Sequence, residues 1–287
     1  MTKTRLWSLA LLIVGLLAAF AVAGCGDDDS SSSSDTGSSE STADLNLLKE
    51  GTLTVGSDIP FPPFEQGDPP DYEGFDIDVI NAIADEMGLD VEIKDAPFDL
   101  LLSGGGGQFD LAIAATTITP ARAQRIDFSD PYFDADQGLL VKEGSDITSV
   151  DDLGGTIVGA QDGTTGETYA NEETDAAEVR PFPEISDAYN ALQTGQVDAV
   201  LNDLPAVQDA VETLGGLEVI DTFPTGEQYG IYAAKGSPVI APINDALQQI
   251  KDDGTLDDIY QEWFDQPVPE DLLEPGPAEA LSGGSSG

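Results

Sequence analysis

The amino-acid sequence predicts an α/β protein with mostly parallel sheets. Between Leu45 and Phe264, short apolar runs alternate with amphipathic stretches, which is the pattern of β-α-β units. The chain has 287 residues, of which 40% are hydrophobic and 7% aromatic, so it contains enough apolar material for a packed core. At about 100–150 residues per domain, this length predicts one or two domains.

The apolar runs predict the strands, and the amphipathic stretches predict the helices. The strands are expected at Leu53–Val55, Val91–Ile93, Phe109–Ile113, Ile157–Ala160 and Val197–Leu201. A helix is expected at Asp76–Met87, where apolar residues recur at helical spacing, and Gly88 follows where a helix would stop. A later helix would be capped by Ser186, run through Leu192 and end at Gly195.

Two further sequences indicate helix starts that lie close to strand ends. Thr119 precedes Pro120, which is typical of an N-cap residue followed by proline at the first helical position. Gly163–Gly166 is predicted to be a turn, with a helix that opens at Glu167. Because ligands of α/β sheets lie at the carboxyl ends of strands and the amino ends of the following helices, polar residues at these places are the candidates for a binding site.

The charge and the residue composition exclude several classes of function. The chain has 55 acidic and 10 basic residues and a formal net charge of -45, which repels phosphate backbones, so we expect no nucleic-acid partner. It contains no His and one Cys. Catalysis by Ser-His-Asp or Cys-His groups, an internal disulfide and a thiolate cluster are therefore excluded, and we predict neither a metal centre nor a cofactor.

The first 24 residues have the pattern of a secretory signal peptide. Lys3 and Arg5 precede an apolar stretch over Leu6–Ala23, which ends in small residues. The segment Val22–Cys25 resembles a bacterial lipobox, in which Cys25 becomes the lipidated first residue of the mature chain. The alternative is an uncleaved anchor, since the apolar stretch is just long enough to span a bilayer.

The two ends of the chain have the composition of flexible segments. Residues 25–44 contain the lipidation site and a Gly/Ser/Asp-rich linker that lacks apolar residues for packing. The sequence therefore predicts a folded body that is anchored extracytoplasmically to the cell membrane through Cys25. Residues 267–287 contain Pro, Glu and a terminal Gly/Ser run and are predicted to be disordered.

One arginine stands out in the body of the chain. Arg122 follows a strand end of small and hydroxyl residues, at the first turn of the helix that Thr119 would cap. A guanidinium beside free backbone N–H groups and a Thr hydroxyl suits a carboxylate, which it can bind through two hydrogen bonds. Gly163–Thr165 offers a second set of N–H donors. The alternative is a surface arginine that pairs with one of the many acids.

A carboxylate at another strand end completes the pattern. Asp203 is placed to accept hydrogen bonds from an ammonium group, although it could instead be a helix N-cap before Pro205. A cation with N–H donors that faces a carboxylate is complementary to a zwitterion. Asp58, Phe61 and Phe98 would then line a pocket for the ligand side chain, although the two rings could equally belong to the core.

Several motifs of the body occur in an order that resembles one family. They are Asp58–Glu65, Gly74–Asp78, Phe109–Leu111, Thr117–Arg122, Ile126–Tyr132, Gly163–Thr164 and Asp198–Asp203. From about Leu47 to Trp263, the chain resembles the polar-amino-acid solute-binding proteins of ABC importers, which are family 3 of the extracellular solute-binding proteins. The resemblance implies a two-lobed fold of the type II periplasmic-binding-protein kind, with two strands as the hinge.

The same resemblance implies where the lobes begin and end. Lobe 1 would comprise residues 45–134 and 230–266, and lobe 2 would comprise residues 135–229. The chain would cross between them near Tyr132–Gly138 and Glu227–Ile231. One departure from the family lies at Gly104–Gly107, where four glycines replace the usual continuation of a helix. We expect that helix to end early, since each Gly costs about 1 kcal/mol in a helix.

The resemblance also assigns roles to residues of this chain. Arg122 would hold the ligand carboxylate together with the backbone around Thr117 and Thr165, and Asp203 would take the ammonium group with the Ala115 backbone. Phe61 and Phe98 would enclose the side chain, and Asp58 would meet its polar end. The ligand-binding residues implied in this way are Asp58, Phe61, Phe98, Ala115, Thr117, Arg122, Thr164, Thr165 and Asp203.

The implied function is a monomeric solute-binding component of an ABC importer that lacks enzymatic activity. It would capture a polar L-amino acid, glutamine or a basic one, by lobe closure and deliver it to the transmembrane subunits of the permease. Two alternatives stay open at this point. One is a sensing lipoprotein that acts with a separate receptor, and the other is an enzyme similar to cyclohexadienyl dehydratases, with Asp58 or Glu65 as general acid.

Overall fold

The computed structural model describes residues 45–278 and residue 281. The predicted signal peptide, the lipidation site Cys25, the linker and the end of the predicted tail lie outside these residues. Within the described part, no helix is long and apolar enough to cross a membrane.

The elements alternate along the chain as the sequence predicts. The strands of residues 45–278 are β1 Thr52–Ser57, β2 Gln66–Asp68, β3 Asp71–Glu73, β4 Asp90–Asp95, β5 Leu111–Ala112, β6 Ile126–Lys142, β7 Ile157–Gln161, β8 Glu178–Phe182, β9 Ala199–Asp203 and β10 Leu217–Ala234. The α-helices of the same residues are α1 Phe75–Met87, α2 Phe98–Leu102, α3 Thr165–Glu173, α4 Ile185–Thr194, α5 Leu204–Leu214, α6 Ile240–Asp252, α7 Thr255–Phe264 and α8 Glu270–Leu273.

Eight of these strands form one sheet in the order β4-β1-β5-β10-β6-β9-β7-β8. At one end, β1 pairs in parallel with β4 and β5, and at the other, β7 pairs in parallel with β8 and β9. We call residues 45–125, which contain β1, β4 and β5, the first half, and residues 143–214, which contain β7, β8 and β9, the second half. The predicted α/β class with parallel strands is confirmed.

Two long antiparallel strands connect the halves through the centre of the sheet. β6 has 17 residues and β10 has 18, and they pair along most of their length. β10 also pairs with β5 of the first half through Tyr232 and Ala112, whereas β6 pairs with β9 of the second half through Gln137–Val141. Their pairing is irregular between Phe223 and Tyr232. The lobe boundaries expected in this region stay a prediction.

The prediction of a helix after Thr119 is wrong, because the chain forms only a single 3-10 turn over Arg122–Gln124. The Thr119 hydroxyl does accept a hydrogen bond from the Arg122 N–H at 3.2 Å, so the capping interaction exists. No α-helix follows because β6 begins at Ile126, only four residues after Arg122. A capping signal predicts where a helix can start but not how far it runs.

Other boundaries differ from the predictions by one or two residues. α3 begins at Thr165 rather than Glu167, because the Thr164 hydroxyl caps it by accepting from the Glu167 N–H. α4 begins at Ile185, so Ser186 lies inside the helix instead of capping it, and Gly195 ends it in the left-handed conformation as expected. β5 is shorter than predicted, although the backbone of Asp110 still donates to Thr54.

The run Gly104–Gly107 ends α2 early, as the sequence predicts. The helix contains five residues, and all four glycines that follow have positive φ angles, between 57° and 85°. These left-handed conformations are accessible to glycine at little cost and are unfavourable for residues with a side chain. The consequence for the site is that Phe98 lies in the first turn of a short helix.

The prediction of a disordered tail from residue 267 is wrong for residues 267–278. Val268, Leu272 and Ala278 are buried, and α8 lies within this segment. The Gly276 N–H donates to the Asp130 carboxylate at 3.0 Å, which connects the segment to β6. The prediction was based on the Pro/Glu-rich composition and gave no weight to these few apolar residues, which are enough to pack a short segment against the body.

An aromatic cluster fixes the loop that follows β1. The Phe64 side chain is fully buried, and its ring centroid lies 5.0 Å from that of Phe133 and 5.3 Å from that of Tyr229. Both partners lie on the central strands, so the loop is held against the middle of the sheet. This packing positions Asp58 and Phe61, which precede Phe64, at the boundary between the two halves.

Candidate functional site

One cavity lies between the two halves and contains all nine residues that the sequence singles out. It encloses about 320 Å³ of free space, including its opening to solvent. Its lining consists of Asp58, Phe61, Glu65, Phe98, Ala114, Ala115, Thr117, Arg122, Gln161, Thr164, Thr165, Asn202 and Asp203. Whether these residues bind a ligand stays a prediction.

Strand ends explain why these residues meet. Asp58 follows β1, Ala115 and Thr117 follow β5, and Asp203 is the last residue of β9. Because β1 and β5 are parallel in the first half, and β7 and β9 are parallel in the second, their carboxyl ends converge on one edge within each half. The cavity therefore receives polar groups from both sides.

The Arg122 side chain contacts both halves of the molecule. One guanidinium nitrogen donates to the Thr117 carbonyl at 2.7 Å, and another donates to the Gly163 carbonyl at 3.1 Å. The guanidinium carbon lies 5.4 Å from the centroid of the Phe98 ring, in cation–π range. Burial lowers the pKa of Arg122, and the nearby carboxylates of Asp203 and Glu227 act in the opposite direction.

The Asp203 carboxylate is buried among neutral donors. The Gln137 amide donates to one of its oxygens, and the Tyr229 hydroxyl donates to the other at 2.5 Å. Burial is the main cause that raises its pKa to about 7, and the Glu227 charge adds to the shift. Although Asp203 stands at the N-cap position of α5, its side chain makes no capping hydrogen bond. The alternative of a capping role for this side chain therefore finds no support.

The Asp58 carboxylate also lines the cavity, and one of its oxygens has no hydrogen-bond partner among the described residues. Oδ2 accepts from the Gln161 amide at 2.7 Å, whereas Oδ1 has no hydrogen-bond partner among the described residues. Burial is the largest cause that raises the Asp58 pKa to about 7. The Gln161 hydrogen bond lowers it, and the charges of Glu184 and Asp95 raise it. A cationic or hydrogen-bond-donating group would satisfy this carboxylate.

Phe61 and Phe98 are both buried and both line the cavity. Phe61 also packs against Phe64, with 6.0 Å between ring centroids, and Phe98 contacts the Arg122 guanidinium. Core and wall were alternatives for these rings: Phe61 belongs to both, because it is also part of the hydrophobic core, whereas Phe98 lines the cavity and contacts the guanidinium. The rings provide apolar surfaces with few rotatable bonds.

The three threonines of the lining use their hydroxyls differently. The Thr164 hydroxyl donates to the Gln161 carbonyl at 2.7 Å and caps α3, so it is occupied within its own turn. The hydroxyls of Thr117 and Thr165 each donate to the Glu227 carboxylate at 2.6 Å. Thr164 therefore contributes by fixing the amino end of α3.

The Ala115 backbone is held in an unusual conformation. Its φ angle is 41°, which is uncommon for a residue with a side chain. Its N–H donates to the fully buried Asp76 carboxylate at 2.7 Å, which also accepts a hydrogen bond from the Tyr132 hydroxyl. These bonds keep the turn after β5 in place at the cavity.

The predicted ligand-binding residues do not include five residues of this region. They are Glu65, Ala114, Gln161 and Asn202 of the lining, with Glu227 behind it. Gln161 ends β7 and would have been found by extending the predicted strand by one residue. Glu65 was considered only as a possible general acid, and burial beside Asp76 raises its pKa well above the usual value. No sequence signal points to Glu227.

Comparisons with known proteins agree in family and fold. The model of the bacterial extracellular solute-binding proteins, family 3, matches residues 53–266. The glutamine-binding protein GlnH of a Bacillus subtilis ABC transporter is 33% identical over 271 residues, which is 91% of this chain and 97% of that relative. The L-cystine-binding protein TcyJ of Escherichia coli is 33% identical over 77% of this chain and 85% of its own length.

Solved structures show the same similarity. The arginine-, lysine- and histidine-binding protein ArtJ of Geobacillus stearothermophilus matches with a TM-score of 0.72 and 34% identity over 77% of this chain and 99% of its own. An ancestral arginine-binding protein bound to glutamine matches with a TM-score of 0.72 and 41% identity, over 76% of this chain and 100% of its own. An ancestral amino-acid-binding protein, a precursor of cyclohexadienyl dehydratase, matches with a TM-score of 0.68 and 36% identity, over 75% of this chain and 95% of its own.

Proposed function

The chain belongs to family 3 of the bacterial extracellular solute-binding proteins, and we propose that it is the amino-acid-binding component of an ABC importer. The predicted family and the predicted two-lobed type II class are confirmed by the comparisons. In this role the protein binds a polar L-amino acid outside the cytoplasm and delivers it to the permease.

The observation that carries this proposal is the pair of opposite charges that face one cavity. Arg122 and Asp203 both line it, and neither forms an ion pair within residues 45–278. A zwitterion offers a carboxylate to the cation and an ammonium group to the anion. Such a ligand would also contact both halves of the molecule, since Arg122 follows β5 and Asp203 ends β9.

The role of each residue at the amino-acid backbone follows from its hydrogen bonds. Arg122 and the N–H groups near Thr117 and Thr165 bind the ligand carboxylate, because guanidinium and N–H groups are donors. Asp203 and the Ala115 carbonyl bind the α-ammonium group, because carboxylate and carbonyl oxygens are acceptors.

The side-chain end of the cavity favours a cation or an amide. One Asp58 oxygen has no hydrogen-bond partner within the described part of the chain, and the neighbouring charges of Glu184 and Asp95 raise the Asp58 pKa further. A guanidinium or ammonium group would relieve the repulsion among the three carboxylates, so a basic amino acid is the first candidate. Glutamine is the second, because its amide can donate to Asp58, and relatives of this chain are named for either ligand.

Ligand binding is coupled to closure of the lobes in this proposal. The lobes are residues 45–134 with 230–266 and residues 135–229, and the central strands act as the hinge. A ligand that contacts both lobes favours the closed arrangement, which the permease recognises. Moving a population from 1:99 to 99:1 requires about 5.5 kcal/mol of difference in binding free energy between the two arrangements.

Anchoring through Cys25 is part of the same proposal. We infer that residues 1–24 are removed and that acyl chains on Cys25 hold the monomeric protein at the outer face of the membrane. Replacing Cys25 by Ala should abolish the incorporation of radiolabelled palmitate into the protein while leaving ligand binding unchanged. Labelling that survives this substitution would contradict lipid anchoring at Cys25.

Two alternative functions would use the same cavity. A sensing protein would bind the same ligand and pass the signal to a separate receptor. Deleting the gene of this protein would abolish amino-acid uptake if the protein acts in transport, but not if it acts only as a sensor. A dehydratase would use a carboxylic acid of the cavity, and the ancestral precursor among the structural matches motivates this alternative. We propose that the chain lacks catalytic activity, because its charges match a zwitterion at both ends.

A thermal-shift screen against the twenty amino acids, ornithine and citrulline tests the proposal. A ligand present at one hundred times its Kd should stabilise the chain by about 2.7 kcal/mol. We expect stabilisation by a basic amino acid or by glutamine. If no amino acid changes the melting temperature, the proposed function is wrong.

A further inference from the structure

Glu227 lies behind the cavity and connects three parts of the molecule. It belongs to the central strand β10, and its Oε2 accepts hydrogen bonds from the hydroxyls of Thr117 and Thr165, both at 2.6 Å. Thr117 comes from the first half, and Thr165 comes from the second. Its Oε1 accepts from the Gln137 amide of β6 at 3.2 Å.

These contacts determine which way the two hydroxyl protons point. An ionised carboxylate only accepts hydrogen bonds, and a Thr hydroxyl has a single proton to donate. The hydroxyls of Thr117 and Thr165 both lie 2.6 Å from the Glu227 carboxylate, so each donates its single proton to that carboxylate. What remains for a ligand is the lone pairs of both oxygens, which lie 3.4 Å apart.

The same network extends to Asp203. The Gln137 amide nitrogen that donates to Glu227 also donates to Asp203, so one NH₂ group joins the two carboxylates. Thr117, Thr165 and Asp203 all line the cavity, whereas Glu227 does not. The cavity thus presents three acceptor groups: the two hydroxyls, which donate directly to Glu227, and the Asp203 carboxylate, which shares the Gln137 amide with it.

We propose that Glu227 is a positioning residue for the α-ammonium group of the ligand. It turns the hydroxyls of Thr117 and Thr165 into acceptors that, with Asp203, match the three N–H donors of an ammonium group. The ligand carboxylate is then left to Arg122 and the backbone N–H groups. This inference rests on the proposed function, since it assumes that the cavity binds an α-amino acid.

The first test replaces Glu227 by Gln in the full chain, purified in detergent. The Gln amide can donate to a Thr hydroxyl, which frees that hydroxyl proton to point into the cavity at the ammonium group. Isothermal titration with L-arginine and L-glutamine should show that E227Q raises the Kd of the amino acid that the wild type binds by about tenfold or more. The matched control is E218Q, which removes the same charge from the same strand at a position whose carboxylate accepts from the Gly144 N–H.

The second test asks whether Glu227 acts through the two hydroxyls. In a T117V/T165V background there is no hydroxyl to orient, so adding E227Q should change the Kd by no more than about twofold. An unchanged effect of E227Q in this background would overturn the proposal, because the residue would then act through its charge or through the fold. Unfolding temperatures without ligand show whether each variant is folded at the temperature of the titration.

A third measurement distinguishes the ammonium group from the carboxylate. Agmatine is arginine without its carboxylate, and 5-guanidinopentanoic acid is arginine without its α-amino group. For glutamine the corresponding pair is 4-aminobutanamide and glutaramic acid. E227Q should weaken the ligand that keeps the amino group by about the same factor as the amino acid, and should leave the deaminated ligand within about twofold.

The outcomes separate this inference from the proposed function. If the wild type binds neither L-arginine nor L-glutamine nor any other amino acid, the proposed function fails and the inference fails with it. If the wild type binds an amino acid but E227Q and E218Q change its Kd equally, the inference alone fails. If E227Q weakens the deaminated ligand more than the decarboxylated one, Glu227 serves the carboxylate and the inference is overturned.

Discussion

The two ends of the cavity differ in how far the protein satisfies its own polar groups. At the main-chain end, which we define as Thr117, Arg122, Thr165 and Asp203, each polar side chain has hydrogen-bond partners from the protein. At the side-chain end, which we define as Asp58, Phe61, Phe98 and Gln161, the Asp58 carboxylate is buried, and one of its oxygens has no hydrogen-bond partner among residues 45–278. The protein supplies hydrogen-bond partners for every polar side chain of the main-chain end, whereas at the side-chain end Gln161 supplies a donor to only one of the two Asp58 oxygens.

The difference suggests a division of labour between the two ends. A preorganised end suits the α-carboxylate and α-ammonium groups, which all amino acids share. An end with an unsatisfied carboxylate gains most from the ligand side chain that supplies the missing donor or cation. Changes at the main-chain end should therefore weaken every ligand, and changes at the side-chain end should alter the ranking of ligands.

The largest effect is expected for Arg122→Ala. Removing a buried guanidinium that binds a carboxylate costs about 3–5 kcal/mol, so the Kd of every amino acid should rise by about a hundredfold or more. The measurement is isothermal titration with L-arginine and L-glutamine. Arg125→Ala is the matched control, because Arg125 is an exposed arginine three residues away. A Kd for the Arg122 variant within about threefold of the wild-type value would refute the carboxylate assignment.

Asp203→Asn should have the next largest effect. The substitution keeps the shape of the side chain and removes the charge that faces the α-ammonium group, at a cost of about 2–3 kcal/mol. The Kd values for L-arginine and L-glutamine should rise by similar factors, because both share this group. A loss confined to L-arginine would instead place Asp203 at the side-chain end.

Asp58→Asn should change selectivity more than overall affinity. A cationic side chain loses its hydrogen-bonded counter-charge at a buried position, so the Kd for L-arginine should rise by about ten- to thirtyfold. L-glutamine should change by less than about threefold, because an Asn oxygen can still accept from its amide. Competition titrations with both amino acids in one sample measure the ratio directly. Equal losses for both would contradict the division between the two ends.

The smallest effect concerns pH and has opposite signs for stability and for binding. Burial raises the pKa of Asp58 and of Asp203 to about 7. Between about pH 4 and pH 7 the folded chain keeps protons that the unfolded chain has released, so these groups lower the free energy of unfolding as pH rises through that range. A cationic ligand needs the ionised carboxylates, so its affinity should rise in the same range.

Titrations at pH 5.5, 6.5 and 7.5 test this dependence. Between pH 6.5 and pH 7.5 the affinity for L-arginine should increase by about threefold for each titrating carboxylate, because the ionised fraction of a group with a pKa of about 7 rises from about 0.24 to about 0.76 over that unit. Asp58→Asn should show a weaker pH dependence than the wild type. If the affinity of the wild type is flat over this range, the buried carboxylates do not titrate against the ligand.

The strands and the lining of the cavity could be predicted from the sequence because both depend on local patterns. Parallel strands place their carboxyl ends at one edge, so Asp58, Thr117 and Asp203 could be found without knowing the pairing. Gln161 was missed only because the predicted strand ended at Ala160. The helix after Thr119 was overpredicted because its length depends on where β6 begins, which the capping residues do not encode.

The remaining part of the site depends on contacts between distant segments. Glu227 reaches Thr117 and Thr165 across 110 and 62 residues of chain. Its neighbour Tyr229 forms an isolated bridge with Thr117, and this pairing brings the carboxylate to both hydroxyls. In the sequence Glu227 is one of 55 acidic residues, and nothing in its local pattern separates it from the others.

The central claim is that the cavity binds both charged ends of an amino acid, and dissected ligands test it most directly. The measurement is isothermal titration of the wild-type chain with L-arginine, agmatine and 5-guanidinopentanoic acid, and with L-glutamine and its two counterparts. The account predicts that removing either the carboxylate or the α-amino group raises the Kd by about a hundredfold. Comparable affinity for a ligand that lacks one of these groups would contradict it.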